Sequence, residues 1–137
     1  MNLKLLDAMT EEQLAHLPFP RARSIADQFA HIHNVRLAWL EVSSPDRAKA
    51  LKKVEKGAAT KTELRTALEA SAESLATVIE GSSTAGKMRG FKNGPIAFCG
   101  YVLAHEGHHR GQIIVHLKHA KMPVGRELAY AIWEWDR

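Results

Sequence analysis

The 137-residue chain holds a single cysteine, Cys99, so no disulfide can cross-link it within itself, and a lone thiol fits a reducing, cytoplasmic compartment. No apolar run approaches the roughly 18 residues of a membrane helix, and no signal-type segment opens the sequence, so no membrane partner is expected. No stretch alternates apolar and polar residues as a half-buried strand does, and there is no repeat or low-complexity tract. Charge of one sign is also scarce in excess: 19 Lys and Arg against 15 Asp and Glu leave +4, the balance of a solvated basic surface. Lys49, Lys52, Lys53 and Lys56 form a stripe at helical spacing, but no aromatic residues interleave it for base stacking, which argues against nucleic acid. With 45% hydrophobic residues the chain is long enough for one real core, and residues 1–137 are expected to form a single all-α domain.

Local signals divide it into helices. Leu3, Leu5, Leu6 and Met9 suit a first helix of about two turns, and Thr10 with Gln13 reads as a capping box for a further turn. Ser24 opens a helix that runs to Val42, with Ile25, Phe29, Ile32, Trp39 and Leu40 on its apolar stripe. His31 and His33 lie on this helix and face nearly opposite ways, and periodicity alone does not say which points inward. A short charged helix is expected from Asp46 to Lys56. Thr60 and Glu63 form a second capping box before a long helix through Leu64, Leu68, Leu75, Val78 and Ile79, with Gly81 as its C-cap. Gly81 to Asn93 then reads as a loop whose Lys87, Arg89 and Lys92 could rim a site for an anionic small molecule. Pro95 starts a helix that reaches Ala120, and Arg126 to Asp136 closes the chain as a short helix bearing Trp133 and Trp135. The expected architecture is an up-down-up-down four-helix bundle with short extra helices.

The chemistry concentrates between Gly100 and Ile114. His105 and His109 stand four apart, about 400° of helical rotation and roughly 6 Å of rise, so both imidazoles leave one face a turn apart. Two such rings can converge on one divalent ion. Eight histidines placed at random would supply roughly 0.4 such pairs, so the spacing needs support from elsewhere. Gln112 and His116 continue the same line, and His116 lies too far along the axis to share an ion with the pair. Tyr101, one turn before His105, is a candidate pocket residue, as are Gln112 and His116. Glu106 falls off this face. His108 points about 100° away and reads as a satisfied or exposed histidine and not a ligand. Residues 105–109 literally match H-E-x-x-H, a zinc-peptidase pattern, with Glu127 as a conceivable third ligand. Gln112 and Val115 break the extended form of that motif, and an all-α chain lacks the sheet edge that holds an extended peptide. Cys99 lies on another line of the helix and reads as a small buried hydrophobe.

The combination of Ala30-His31-Ile32 with Arg36 and Trp39-Leu40, followed by His105-Glu106-x-His108-His109-Arg110-Gly111-Gln112, resembles the DinB/YfiT-like superfamily, from about Leu3 to Trp135. The resemblance implies a four-helix bundle with a metal held by His31, His105 and His109, and it is this resemblance that selects His31 over His33. It implies a Zn, Ni or Fe ion, and in some members transfer chemistry on a low-molecular-weight thiol. The expected function is therefore a metal-dependent thiol S-transferase-like or hydrolase-like enzyme, the alternative a non-catalytic metal-binding sensor or scaffold. A homodimer is implied as well. The first helix is shorter here than is usual in that superfamily, and no catalytic residue beyond the ligands is identified.

Overall fold

A computed structural model describes residues 1–57, 59–131 and 133. All regular elements among them are helices: α1 (Asn2–Asp7), α2 (Glu11–Ala15), α3 (Ile25–Ser43), α4 (Pro45–Ala48), α5 (Lys61–Ala85), α6 (Gly94–His119) and α7 (Arg126–Ala131). Both capping boxes form. Thr10 accepts from the Gln13 N–H and Thr60 from the Glu63 N–H, while the Gln13 and Glu63 side chains return to the cap backbone. Each satisfies two donors that a helix start leaves without partners.

Three long helices and the short α1 enclose the core, but not with the expected alternation. Ala67, Leu68 and Ser71 of α5 lie beside His33 and Arg36 of α3, in the same order along both, so α3 and α5 run in parallel. On α6 the order reverses: Gln28 meets Gln112, Arg36 meets Glu106, and Trp39 meets Phe98. The reason for the parallel pair lies in residues 49–57, of which 49–56 are expected from the sequence to be helical. Helix α4 stops at Ala48, and the chain then returns along α3 as a strap. The Asn34 side chain donates to the Val54 carbonyl (2.8 Å) and accepts from its N–H (3.0 Å). A ring nitrogen of His33 lies 2.9 Å from the Lys52 carbonyl, and Asp27 accepts from the Gly57 N–H at 2.8 Å. Polar side chains of α3 thus supply partners that an i→i+4 helix would have given, and the lysine stripe does not form.

The other departure is at the end of α5. Gly81 does not cap it. The helix continues to Ala85 and closes at Gly86, whose φ of 68° is the left-handed conformation that glycine adopts without strain. A mid-helix Gly81 costs about 1 kcal/mol relative to Ala, which does not stop a helix of 25 residues. The remaining loop turns inward, burying Met88 and setting Phe91 against Trp39 and Phe98. Of the last expected helix, Arg126 to Ala131 is present, and Trp135 and Asp136 lie outside the described residues.

The interior has two apolar clusters. One gathers Leu5, Leu6, Phe29, Ile32, Leu64, Leu68, Ile113 and Leu117; the other gathers Leu37, Leu40, Leu75, Met88 and Phe98. Along α3, α5 and α6 alike, the polar residues Arg36, Ser71 and Glu106 fall between the two. Arg36 Nε and Nη2 donate to Glu106 at 2.6 and 2.9 Å, and Arg36 Nη1 donates to the Leu68 carbonyl at 2.9 Å. Asn2 Nδ2 donates to the same carboxylate at 2.6 Å, and Arg110 donates to Asn2 Oδ1 at 2.9 Å. This layer joins four helices through one carboxylate and sets the level at which α6 lies on α3.

Candidate metal centre

The antiparallel crossing of α3 and α6 turns the His105–His109 line toward His31. Ring centroids of His31 lie 4.7 Å from His109 and 5.4 Å from His105, and the α6 pair are 4.6 Å apart. One nitrogen from each of the three rings lies within 4.8 Å of the others. Nitrogens bound to one tetrahedral zinc at about 2.0–2.1 Å stand roughly 3.4 Å apart, so side-chain adjustment on the order of 1 Å closes this set on an ion.

The protonation states suit a cation. Burial, followed by the charge of Arg23, lowers the pKa of His31; burial likewise leads the lowering at His105. His109 is lowered furthest, from 6.5 to about 4, by burial and then by His105 and His31. All three rings are therefore neutral at pH 7 and each offers a lone pair. The His109 Nδ1–H donates to Gln28 Oε1 at 2.6 Å, which leaves Nε2 as the free base, and Gln28 Nε2 donates in turn to Gln112 Oε1 at 3.3 Å. A ligand histidine held through its second nitrogen has a fixed tautomer and ring orientation.

Gln28 has no counterpart in the sequence reading, although it lies three residues before His31 and hence about one turn away on the same helix. If it orients His109, Gln28→Ala lowers metal affinity by about 10–100-fold with helicity unchanged. Competition against a chromophoric chelator measures this, and an unchanged affinity removes the role.

The other candidates separate clearly. Gln112 acts on Gln28 and not directly on a histidine ring of the trio. Tyr101 stacks on His105, 6.0 Å between centroids and 19° between planes, and forms a wall beside it. His116 stands against Phe19, away from the three rings, with a buried Nδ1 that has no hydrogen-bond partner among the described residues. His33 is a core residue, 1% exposed, with its two ring nitrogens 2.9 Å from the carbonyls of Ala67 and Lys52. His108 is exposed, and Cys99 is half-buried, not buried as expected. Glu106 has both oxygens engaged by Arg36 and Asn2, so it cannot act as the base of an H-E-x-x-H peptidase, and Glu127 lies on α7 outside the cluster. Lys87, Arg89 and Lys92 line surface clefts that contain none of the three histidines. The cation that acts on all three rings is Arg23, which the sequence did not mark. No described helix is long and apolar enough to cross a membrane.

Compared with known families, residues 1–113 match the family model of the DinB superfamily, a span that includes all three histidines, Gln28 and Gln112. Searches of the curated proteins and of the solved structures gave no significant match.

Proposed function

The chain belongs to the DinB superfamily, and from that membership and its converging histidines we propose that it is a metal-dependent enzyme holding Zn, Ni or Fe(II) on His31, His105 and His109. The observation that carries this reading is the set of three neutral imidazole nitrogens, gathered within 4.8 Å from two helices. Three protein ligands leave at least one coordination position open, which is the pattern of a catalytic site and not of a closed structural one. When bound there, the ion supplies Lewis acidity that lowers the pKa of a small thiol or water.

The residues around the site favour the thiol. Among the described residues no carboxylate joins the three histidines, and Glu106, the nearest in sequence, is committed to Arg36 and Asn2. On the ion, water falls from about 15.7 to about 7 while a thiol, near 8.5 when free, is deprotonated outright, so the thiol is the more fully ionised without a base. Gln28 fixes the His109 ring, and Tyr101 covers one side of His105, which confines a small substrate to the remaining open side. The same lack of a base favours, as a second reading, a metal-binding protein without catalysis. The proposal places the protein in the cytoplasm as a homodimer, and exposed Ile96, Leu103 and Val115 on α6 offer apolar surface for a second copy.

Metal-loaded protein assayed with panels of small thiols and electrophiles should show turnover that chelation abolishes and metal restores. Absence of metal-dependent turnover with every thiol would favour the non-catalytic reading.

A further inference from the structure

A cleft of about 200 Å³ opens beside His31, between α3 and the returning strap, and its lining includes Arg23, Asp27, Asn34, Lys53 and Lys56. Most of its polar groups already have partners. Asn34 is bonded in both directions to Val54, Asp27 accepts from Gly57, and Lys53 pairs with Glu55 at 3.8 Å. Arg23 and Lys56 have no ion-pair or hydrogen-bond partner among the described residues. Three cations, Arg23, Lys53 and Lys56, face two carboxylates, Asp27 and Glu55, so the cleft carries a net charge of +1 (3 − 2). Asp27 and His31 stand one turn apart on α3, and Arg23, just before the Ser24 cap, lines the same cleft beside them. The strap delivers Lys53 and Lys56 only because residues 49–57 are not helical. Two lysines of the stripe that reads in sequence as a solvated helix face, Lys53 and Lys56, line this cleft in the fold.

We infer that this cleft is the carboxylate-binding end of the substrate site: the substrate is a small monoanion whose carboxylate is received by Arg23, with Lys56 beside it, while its metal-binding donor reaches the ion on His31, His105 and His109. A guanidinium presents paired N–H donors that match a carboxylate, and the single excess charge of the cleft matches a monoanion better than a dianionic phosphate. The inference rests on the metal reading above and adds to it the charge of the substrate.

The test uses cobalt(II)-loaded protein titrated with 3-mercaptopropionate and, separately, with the neutral 3-mercaptopropan-1-ol, followed by thiolate-to-cobalt absorption. The acid should bind at least fivefold more tightly than the alcohol. In Arg23→Gln, and in Arg23→Gln combined with Lys56→Gln, that preference should shrink to less than twofold, with the cobalt-to-protein ratio and the affinity for the alcohol unchanged. Equal affinities in the wild type, or a preference that survives the double substitution, would overturn the inference and leave the metal reading standing. Failure of the wild type to bind cobalt would overturn both.

Discussion

Arg36→Ala lowers the stability of the fold by about 3–5 kcal/mol, the cost of leaving one member of a buried ion pair without its partner. The side chains of Arg36 and Glu106 are only 11% and 10% exposed, so water cannot take over the lost contacts. The substitution withdraws two donors from Glu106 and leaves it with Asn2 Nδ2 and with Arg110, 3.8 Å away. It also removes one donor from the Leu68 carbonyl and opens a void between the two apolar clusters. Removing both charges together, as Arg36→Met with Glu106→Leu, should cost much less than either single change, since apolar side chains of similar volume replace a desolvated pair. Urea denaturation of the two singles and the double measures this. A single Arg36→Ala within about 1 kcal/mol of wild type would mean that the layer is not a buried pair in solution. Because Glu106 sits between His105 and His109 in sequence, the single variants should also weaken metal binding, although neither residue touches the three rings.

The second large effect is linkage between metal and fold. Zinc at about a thousandfold its dissociation constant adds about 4.1 kcal/mol to the folded state. For 137 residues, with an unfolding entropy of about 2.1 cal/mol/K each, that corresponds to a rise in Tm of roughly 14 °C. A chelator should reverse the shift and His109→Ala should remove it. The shift should also fade as pH falls, since protons compete with the metal for the same lone pairs. The apoprotein carries its own pH dependence, of the same sign. A histidine with a depressed folded-state pKa binds fewer protons folded than unfolded, so its contribution is present above 6.5 and is lost as pH drops from there through about 4 at His109. His31 and His105, lowered for the same leading reason of burial, add to the loss in that direction. Apoprotein stability that rose on acidification across this window would contradict the buried, neutral state of the three rings.

What the sequence disclosed followed from short-range rules. The capping boxes at Thr10 and Thr60, the proline start at Pro95 and the apolar stripe of α3 are local signals, and all four are present. Convergence of His105 and His109 is likewise a property of one helix. The choice between His31 and His33 is not, because it depends on what packs against each face of α3. In the fold His33 faces α5 and the strap, whereas His31 faces α6. Only the resemblance carried by Ala30-His31-Ile32 could resolve that from sequence. The lysines of the strap suit an exposed helix, while the groups that hold it extended, Asn34, His33 and Asp27, lie on another element 19–30 residues away. Helical spacing sets Glu106 off the histidine face, but its partners Arg36 and Asn2 stand 70 and 104 residues distant, beyond any local pattern. Lys87, Arg89 and Lys92 suggest a basic rim in sequence because that loop is rich in cations. Arg23, exposed and just before α3, lines the cleft beside His31, and its charge is among the causes that lower the pKa of all three rings.

Whether three histidines share one ion is tested directly by the metal-to-protein ratio of the purified protein and its His31→Ala variant. One equivalent in the wild type, falling well below a tenth of an equivalent in the variant after identical dialysis against micromolar zinc, is the expected result. One equivalent retained in His31→Ala, with the fold intact by circular dichroism, would contradict the site.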